Sequence, residues 1–332
     1  MFRHIAAFEW RFQIKSPVFW VGCLIFFLMA FGATASDNVQ IGSMGNVHKN
    51  APYAIVQALS QLGVFSIFVT VAMVAGVVVR DDETNFASII RTTSVDKASY
   101  LGGRFVGACA AALLVLAMIP LGVLVGSFMP WQDFEKIGPF LPGDYVYALL
   151  LIQLPTLLIT SAVFFALATA TRSMAWTYVG AVGLLVLYRV ARTMAANDPA
   201  LQHATALLDP FGISALDYVT KYWTASDRNT TLPSLTGVLL ANRLLWTGVA
   251  VAVFGVAYRG FRFTMRFEKP PADVGDAATP AKGGRLSRAQ KAARAHQAEL
   301  DGLGQANPAG GREGPAPETR RTAKVGPPLP PA

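Results

Sequence analysis

Six long apolar stretches, divided by short polar segments, fill the first 267 residues of this chain and leave little choice of fold. A hydrocarbon core about 30 Å thick takes about 20 helical residues to cross, and it holds no water to satisfy a free backbone N–H or C=O. Residues 17–35, 53–79, 105–129 and 145–169 meet that length without a charged residue inside. The stretch 174–190 is shorter and reaches Arg189, and 239–258 carries Asn242 and Arg243 near its start. The expectation is an all-α membrane protein with six transmembrane helices.

Composition agrees, with 53% hydrophobic residues against 14% charged, far from the balance of a water-soluble domain. The two cysteines, Cys23 and Cys109, both fall inside apolar stretches, which argues against a disulfide framework or a thiolate metal site. A formal charge of +8 invites thoughts of nucleic acid, but the basic residues are scattered among loops without a stripe of interleaved aromatics. No nucleic-acid partner is expected. Their distribution instead orients the chain.

Positively charged loops stay in the cytoplasm. Arg3, Arg11 and Lys15 precede the first stretch, Arg80, Arg91, Lys97 and Arg104 follow the second, Arg172 follows the fourth, and Arg259, Arg262 and Arg266 follow the sixth. The loops after the first and third stretches carry only Lys49 and Lys136. Both termini are therefore expected in the cytoplasm, with the chain crossing an inner (plasma) membrane several times. The long loop after the fifth stretch holds Arg192, Lys221 and Arg228, but loops of that length vote weakly.

Residues 1–16 do not have the pattern of a cleaved signal peptide, because apolar Phe2, Ile5, Trp10 and Phe12 alternate with His4, Glu9, Arg11, Gln13 and Lys15. Such a segment fits a helix in the membrane interface with its aromatic side among the lipid headgroups, before Pro17 turns the chain into the first span. An ordinary lead-in helix fits as well. Between spans, 37–52 reads as a turn-rich connection, and 200–208 and 213–223 have the spacing of short helices lying against the membrane. Asn229-Thr230-Thr231 matches a glycosylation triplet, a pattern too common to carry weight. Within span 4, Pro155 is expected to kink the helix around 153–156, and Gly122 with Gly126 points to close helix packing. Gln57, Gln61, Gln153, Thr156, Thr160 and Ser161 inside the spans read first as helix-to-helix hydrogen-bonding groups.

From Glu268 the composition shifts to Pro, Gly, Ala, Arg and Lys, with too few aromatic and β-branched residues to build a core. Three regions result: 1–16 an interfacial helix, 17–267 the six-helix domain, and 268–332 a disordered basic cytoplasmic tail. Within the tail, 286–303 has the spacing of a short helix, readable as a segment drawn to anionic lipid or as plain solvated chain.

Catalytic signatures do not appear. There is no GxxxxGK followed by Ser or Thr to cradle phosphates and no HExxH, and His4, His48, His203 and His296 all fall outside the spans. The chain reads as a non-enzyme with no cofactor.

The loop 80–104 is the segment with most content. Asp81, Asp82 and Glu83 precede Thr84, a residue able to cap a helix whose positive N-terminal end those acids favour. Phe86, Ile89 and Ile90 follow at i, i+3 and i+4, a short helix with one apolar face and nothing of its own to bury it against. A partner's hydrophobic groove is the natural recipient.

Here the chain resembles the permease subunits of type-2 ABC exporters, whose loop between spans 2 and 3 reads approximately ExGTLExLLxxPVSRxxYLxGK. Glu83, Ile89, Ile90, Thr92-Thr93, Tyr100-Leu101, Gly103 and Arg104 follow that progression, whereas Asn85 replaces a usual glycine and Ser94-Val95 a usual Pro-Val. Arg11, Lys15, Ser16 and Pro17, and the basic turn 168–173, are similar as well. A narrower likeness, carried by 37–42, 46–50, 80–83, 164–173 and 208–212, is to the first membrane half of large bacterial proteins that join such a permease to a gluzincin-type aminopeptidase. The second half and the peptidase have no counterpart here.

What the resemblance implies is a permease coupling a separate ABC ATPase subunit to export. Asp82, Glu83, Phe86, Ile89, Ile90 and Arg91 would dock on that ATPase as a coupling helix, and Phe2, Ile5, Trp10 and Phe12 would belong to an elbow helix in contact with membrane lipids. A second permease half, as a homodimer or a related subunit, would complete the transporter. A non-transporting membrane scaffold or anchor for a protein partner is the alternative.

Overall fold

The structure is a computed structural model that describes residues 1–83, 96–196 and 199–261. Every regular element among them is helical. The predicted coupling residues Phe86, Ile89, Ile90 and Arg91 and the tail 268–332 lie outside the described residues, as do the side chains of Asp82 and Glu83.

Helix α1 (Phe2–Lys15) ends at Ser16, whose extended backbone and side-chain acceptance of the Val18 N–H start α2 (Pro17–Ala35). Pro17 sits at the first helical position, where its missing N–H costs nothing. Next come α3 (Pro52–Gly63), α4 (Ser66–Thr70), a π-helical turn Val71–Ala75 and α5 (Gly76–Glu83). The stretch 53–79, read from sequence as one unbroken span, is bent by 54° between Pro52–Gly63 and Ser66–Arg80. Sequence had no proline there to warn of it. At the break, Gln153 fills the space a side chain on residue 63 would need, since a Cβ on Gly63 would lie 2.2 Å from the Gln153 Oε1.

Asp96 accepts the Ser99 N–H to cap α6 (Lys97–Leu116), which continues through Ala117 into α7 (Met118–Ser127). Helix α8 (Pro142–Tyr147) passes through a π-helical turn, Ala148–Gln153, into α9 (Leu154–Thr171). Around Pro155, where a kink was expected at 153–156, Pro142–Thr171 is one continuous helical stretch, and the wide turn Ala148–Gln153 lies directly upstream of the proline that cannot donate a regular bond. Arg172, at φ 49°, closes α9. Then α10 (Met174–Ala196) runs past the expected end at 190, carrying Arg189 and Arg192 within the helix. Helices α11 (Gln202–Leu208), α12 (Ile213–Val219) and α13 (Ala225–Thr230) precede the last, α14 (Gly237–Gly260). The segment 213–223 is helical only to Val219, and α13 had no counterpart in the sequence reading.

Among the described residues, five stretches are long and apolar enough to cross a membrane: Pro17–Ala35, Lys97–Ser127, Pro142–Thr171, Met174–Met194 and Gly237–Gly260, with the bent pair a sixth if it is one span. Only 17% of the Met174–Met194 window is buried, and Trp176, Val179, Val186 and Val190 point outward. Apolar exposure on that scale is a liability in water and the normal state of a lipid-facing helix.

Close approach at glycine holds two helix pairs. A Cβ on Gly122 would stand 2.6 Å from the Phe27 carbonyl and one on Gly126 2.9 Å from the Thr34 Cβ, so α7 lies directly on α2. Gly103 and Gly107 do the same for α1, the latter with the Ala6 carbonyl 2.6 Å from a hypothetical Cβ. Phe105, Phe165 and Phe254 join α6, α9 and α14 with ring centroids 4.5 to 5.6 Å apart.

The polar connections gather at one end. Lys49, only 6% exposed, donates to Gln132 at 2.9 Å and pairs with Asp37 at 2.8 Å, and the Asn229 amide bonds both Asn46 and His48. Helix α1 is at the other end, where Lys97 lies over the Tyr258 ring and Tyr100 meets Phe261. The first and last described helices therefore finish on the same side of the bundle.

Candidate functional site

At the α1 end, the sequence pattern turns out to face opposite to a simple amphipathic reading. Ile5, Glu9 and Gln13, spaced by one turn, face the protein, and Glu9 is fully buried. Phe8 and Phe12, also one turn apart, point outward at 57% and 43% exposure. Glu9, counted from sequence among the polar breaks of an interfacial helix, is the centre of the site. Of the four expected elbow residues, Phe2 and Phe12 are exposed, whereas Ile5 and Trp10 pack inward against the bundle.

Glu9 Oε2 accepts from Arg80 at 2.8 Å and from Arg104 at 3.1 Å. Its Oε1 accepts from the Gln13 amide at 2.8 Å, and the same amide donates to the Met73 carbonyl at 2.9 Å, inside the π-helical turn. A carboxylate removed from water persists only when paired and hydrogen-bonded, and these donors supply that compensation. The Arg80 guanidinium also stacks over Phe12, 3.9 Å from its centroid, and Arg104 lies over Tyr100. Arg104 belongs to the Tyr100-Leu101-Gly103-Arg104 run of the predicted docking loop, and Gly103 and Gly107 are the positions that let α1 approach close enough for the contact. Three elements meet here: α1, the end of α5 that leads into 81–95, and the start of α6 that leads out of it.

A second buried cluster lies toward the loop end. Asp209 receives the Phe211 N–H at 2.8 Å and the Ser214 N–H at 2.7 Å, folding Leu208–Gly212 into a turn that starts α12. The Asn242 amide, fully buried, donates to the carbonyls of Ala206, Leu207 and Asp209 at the C-terminus of α11, where a helix leaves acceptors without intrahelical donors. Arg243, 4% exposed, donates through Nε to the Asn242 side-chain Oδ1 at 2.9 Å, and to Thr156 Oγ1 and the Ile152 carbonyl, both at 3.0 Å. Asn242 and Arg243 looked from sequence like a blemish in the sixth span. They are the clamp that fixes the loop helices to the π-helical turn of span 4.

Of the polar groups inside the spans, Gln57 bonds Tyr53 and reaches Asp217 on α12, Gln61 bonds Gln57, and Thr156 reaches the Phe211 carbonyl. Thr160 turns back to its own helix. Among the described residues, Gln153 Nε2 is buried without a hydrogen-bond partner. The Asn229 amide is committed on both its N and O atoms to Asn46 and His48, which leaves the glycosylation triplet a structural role. Compared with known proteins, the chain matches no family model and no curated sequence.

Proposed function

We propose that this chain is the permease subunit of an ATP-driven exporter in the inner (plasma) membrane, with six crossings, both termini in the cytoplasm and ATP hydrolysed on a separate subunit. The bent pair α3–α5 is then a single broken span, and α1 is the elbow, with Phe8 and Phe12 toward lipid. A second permease half completes the pathway.

The observation that carries this reading is the Glu9 cluster. A docking loop transmits force only if its two ends are tied to elements that move with it. Arg80 and Arg104 flank the loop, and both are bonded to one carboxylate on α1. Displacement of 81–95 by a nucleotide-driven partner would move the ends of α5 and α6 together with the elbow. The break at Gly63–Ser66 and the π-helical turn bonded to Gln13 offer places for the rest of span 2 to yield.

The test is Ile89→Asp with Ile90→Asp in the full chain. Two charges on a buried docking face cost several kcal/mol each unless paired. Membrane insertion should persist while co-purification of an ATPase and export both fall sharply. Normal ATPase association in the double variant would overturn the docking face. A bound partner without nucleotide-dependent change in the permease would favour the scaffold.

A further inference from the structure

A cleft of about 670 Å³ opens beside the break in span 2, between its residues 61–65 and the outer half of α10. Its volume lies in the range of small-molecule sites. One wall is apolar: Leu62, Val64, Phe65 and Leu185, with Phe65 45% exposed into open space. The opposite end is lined by Tyr188, Arg189 and Arg192. On α10, Leu185, Tyr188, Arg189 and Arg192 fall at i, i+3, i+4 and i+7, so a single helix face grades from aliphatic through aromatic to cationic over about 10 Å.

Charge at that end is unbalanced. Arg192 is shared with an adjoining cleft of about 270 Å³ that also holds Asp217 and Lys221. Arg192 pairs with Asp217 at 2.6 Å, and Lys221 donates to Gln202. The Arg189 guanidinium has no hydrogen-bond or ion-pair partner among the described residues. Of the two guanidiniums on the larger cleft, Arg192 is paired with Asp217 and Arg189 is not, which leaves positive charge beside the apolar wall; Lys221 lines only the adjoining cleft, and Asp209 meets the Tyr188 hydroxyl at 3.4 Å.

We propose that this cleft binds an anionic amphiphile, its acidic head on Arg189 beside the Arg192–Asp217 pair and its alkyl body along Phe65, Val64, Leu62 and Leu185. Along α10 the lining runs from Arg192, near the helix's loop end, to Leu185, near its middle, an order that matches a polar head followed by an alkyl chain. Carboxylate and phosphate heads share the needed chemistry, and a single-chain acid and a membrane phospholipid are its two sources.

The test uses the full chain in phosphatidylcholine nanodiscs and a long-chain fatty acid carrying a photoreactive diazirine, with the fatty alcohol of equal length as control. The acid should label peptides containing 61–65 and 185–192 about tenfold more than the alcohol, the discrimination of one charge-assisted contact. Arg189→Gln should bring acid labelling down to the alcohol level, and Phe65→Ala should lower both. Both side chains are exposed, so neither change threatens the fold. Competition by oleate alone identifies a single-chain acid, and competition by phosphatidylglycerol identifies a lipid. Competition by neither, equal labelling by acid and alcohol, or an unchanged Arg189→Gln variant overturns the proposal. No ATPase enters the assay, so its failure leaves the exporter reading standing, and the converse holds.

Discussion

Replacing Glu9 with Ala should be among the most damaging single changes in the α1 region. The carboxylate is fully buried, 2.8 Å from the Arg80 guanidinium and 3.1 Å from that of Arg104, which is itself 5% exposed. Removing one member of a buried pair costs about 3–5 kcal/mol, because the other charge stays out of water. Arg80 is 24% exposed and recovers part of its hydration, so roughly 2–4 kcal/mol is expected here. For a domain of this size that corresponds to a fall of about 5–10 °C in the unfolding midpoint, measured in detergent by the loss of folded protein on heating. Glu9→Gln keeps an acceptor for both guanidiniums and should lose about half as much. A cycle with Arg104→Ala separates the contact from the cavity, and a coupling of at least about 1 kcal/mol is expected for directly bonded side chains. A Glu9→Ala variant that melts with the wild type, or a cycle whose single effects simply add, would refute the claim that this carboxylate ties α1 to the ends of α5 and α6.

Gly212→Ala should be destabilising by about 2 kcal/mol or more, since the residue stands at φ +72° and a Cβ would meet the Arg243 Nη2 at 1.6 Å; an unshifted melting midpoint would show that Arg243 is not clamped as described. Reporter cysteines replacing Gly45 should react with an impermeant reagent from outside while those replacing Ala87 and Ala281 are protected, against a low background from the buried Cys23 and Cys109; equal labelling of all three would defeat the proposed topology. Lys49 and Lys136 hold the Asp37 carboxyl below the usual carboxylate range. The stability it adds is full above the ordinary carboxylate pKa and fades as pH falls through the lowered value. Asp37→Asn should therefore melt earlier than wild type at neutral pH and match it in strong acid; a gap that persists in acid would sink that assignment.

Length and hydropathy determined the membrane class and located the long apolar helices, closely for 17–35, 145–169 and 239–258 and less so where a helix runs on into polar sequence, at Lys97 and Ala196, because a span must satisfy its whole backbone internally and 20 apolar residues in a row have few other uses. Pro17 at the head of α2 was legible because it acts on its own helix, and Gly122/Gly126 because two small residues one turn apart mark a close-packing face, although which helix meets it, α2, was decided only by the tertiary structure. Glu9 was not legible. A polar residue on an aromatic helix reads as the wet side until the tertiary structure shows which face meets the bundle, and Arg80 and Arg104, 71 and 95 residues away, are what reverse it. The same holds for Asn242 and Arg243, whose acceptors at 206–209 and 152–156 come from other elements. The break at Gly63–Ser66 has no proline to announce it, and the Gln153 side chain that fills the space beside Gly63 comes from another helix. Apolar length is summed along the chain and survives in the sequence, whereas the compensation of a buried charge is a matter of distance in space, which only the packing of the helices decides.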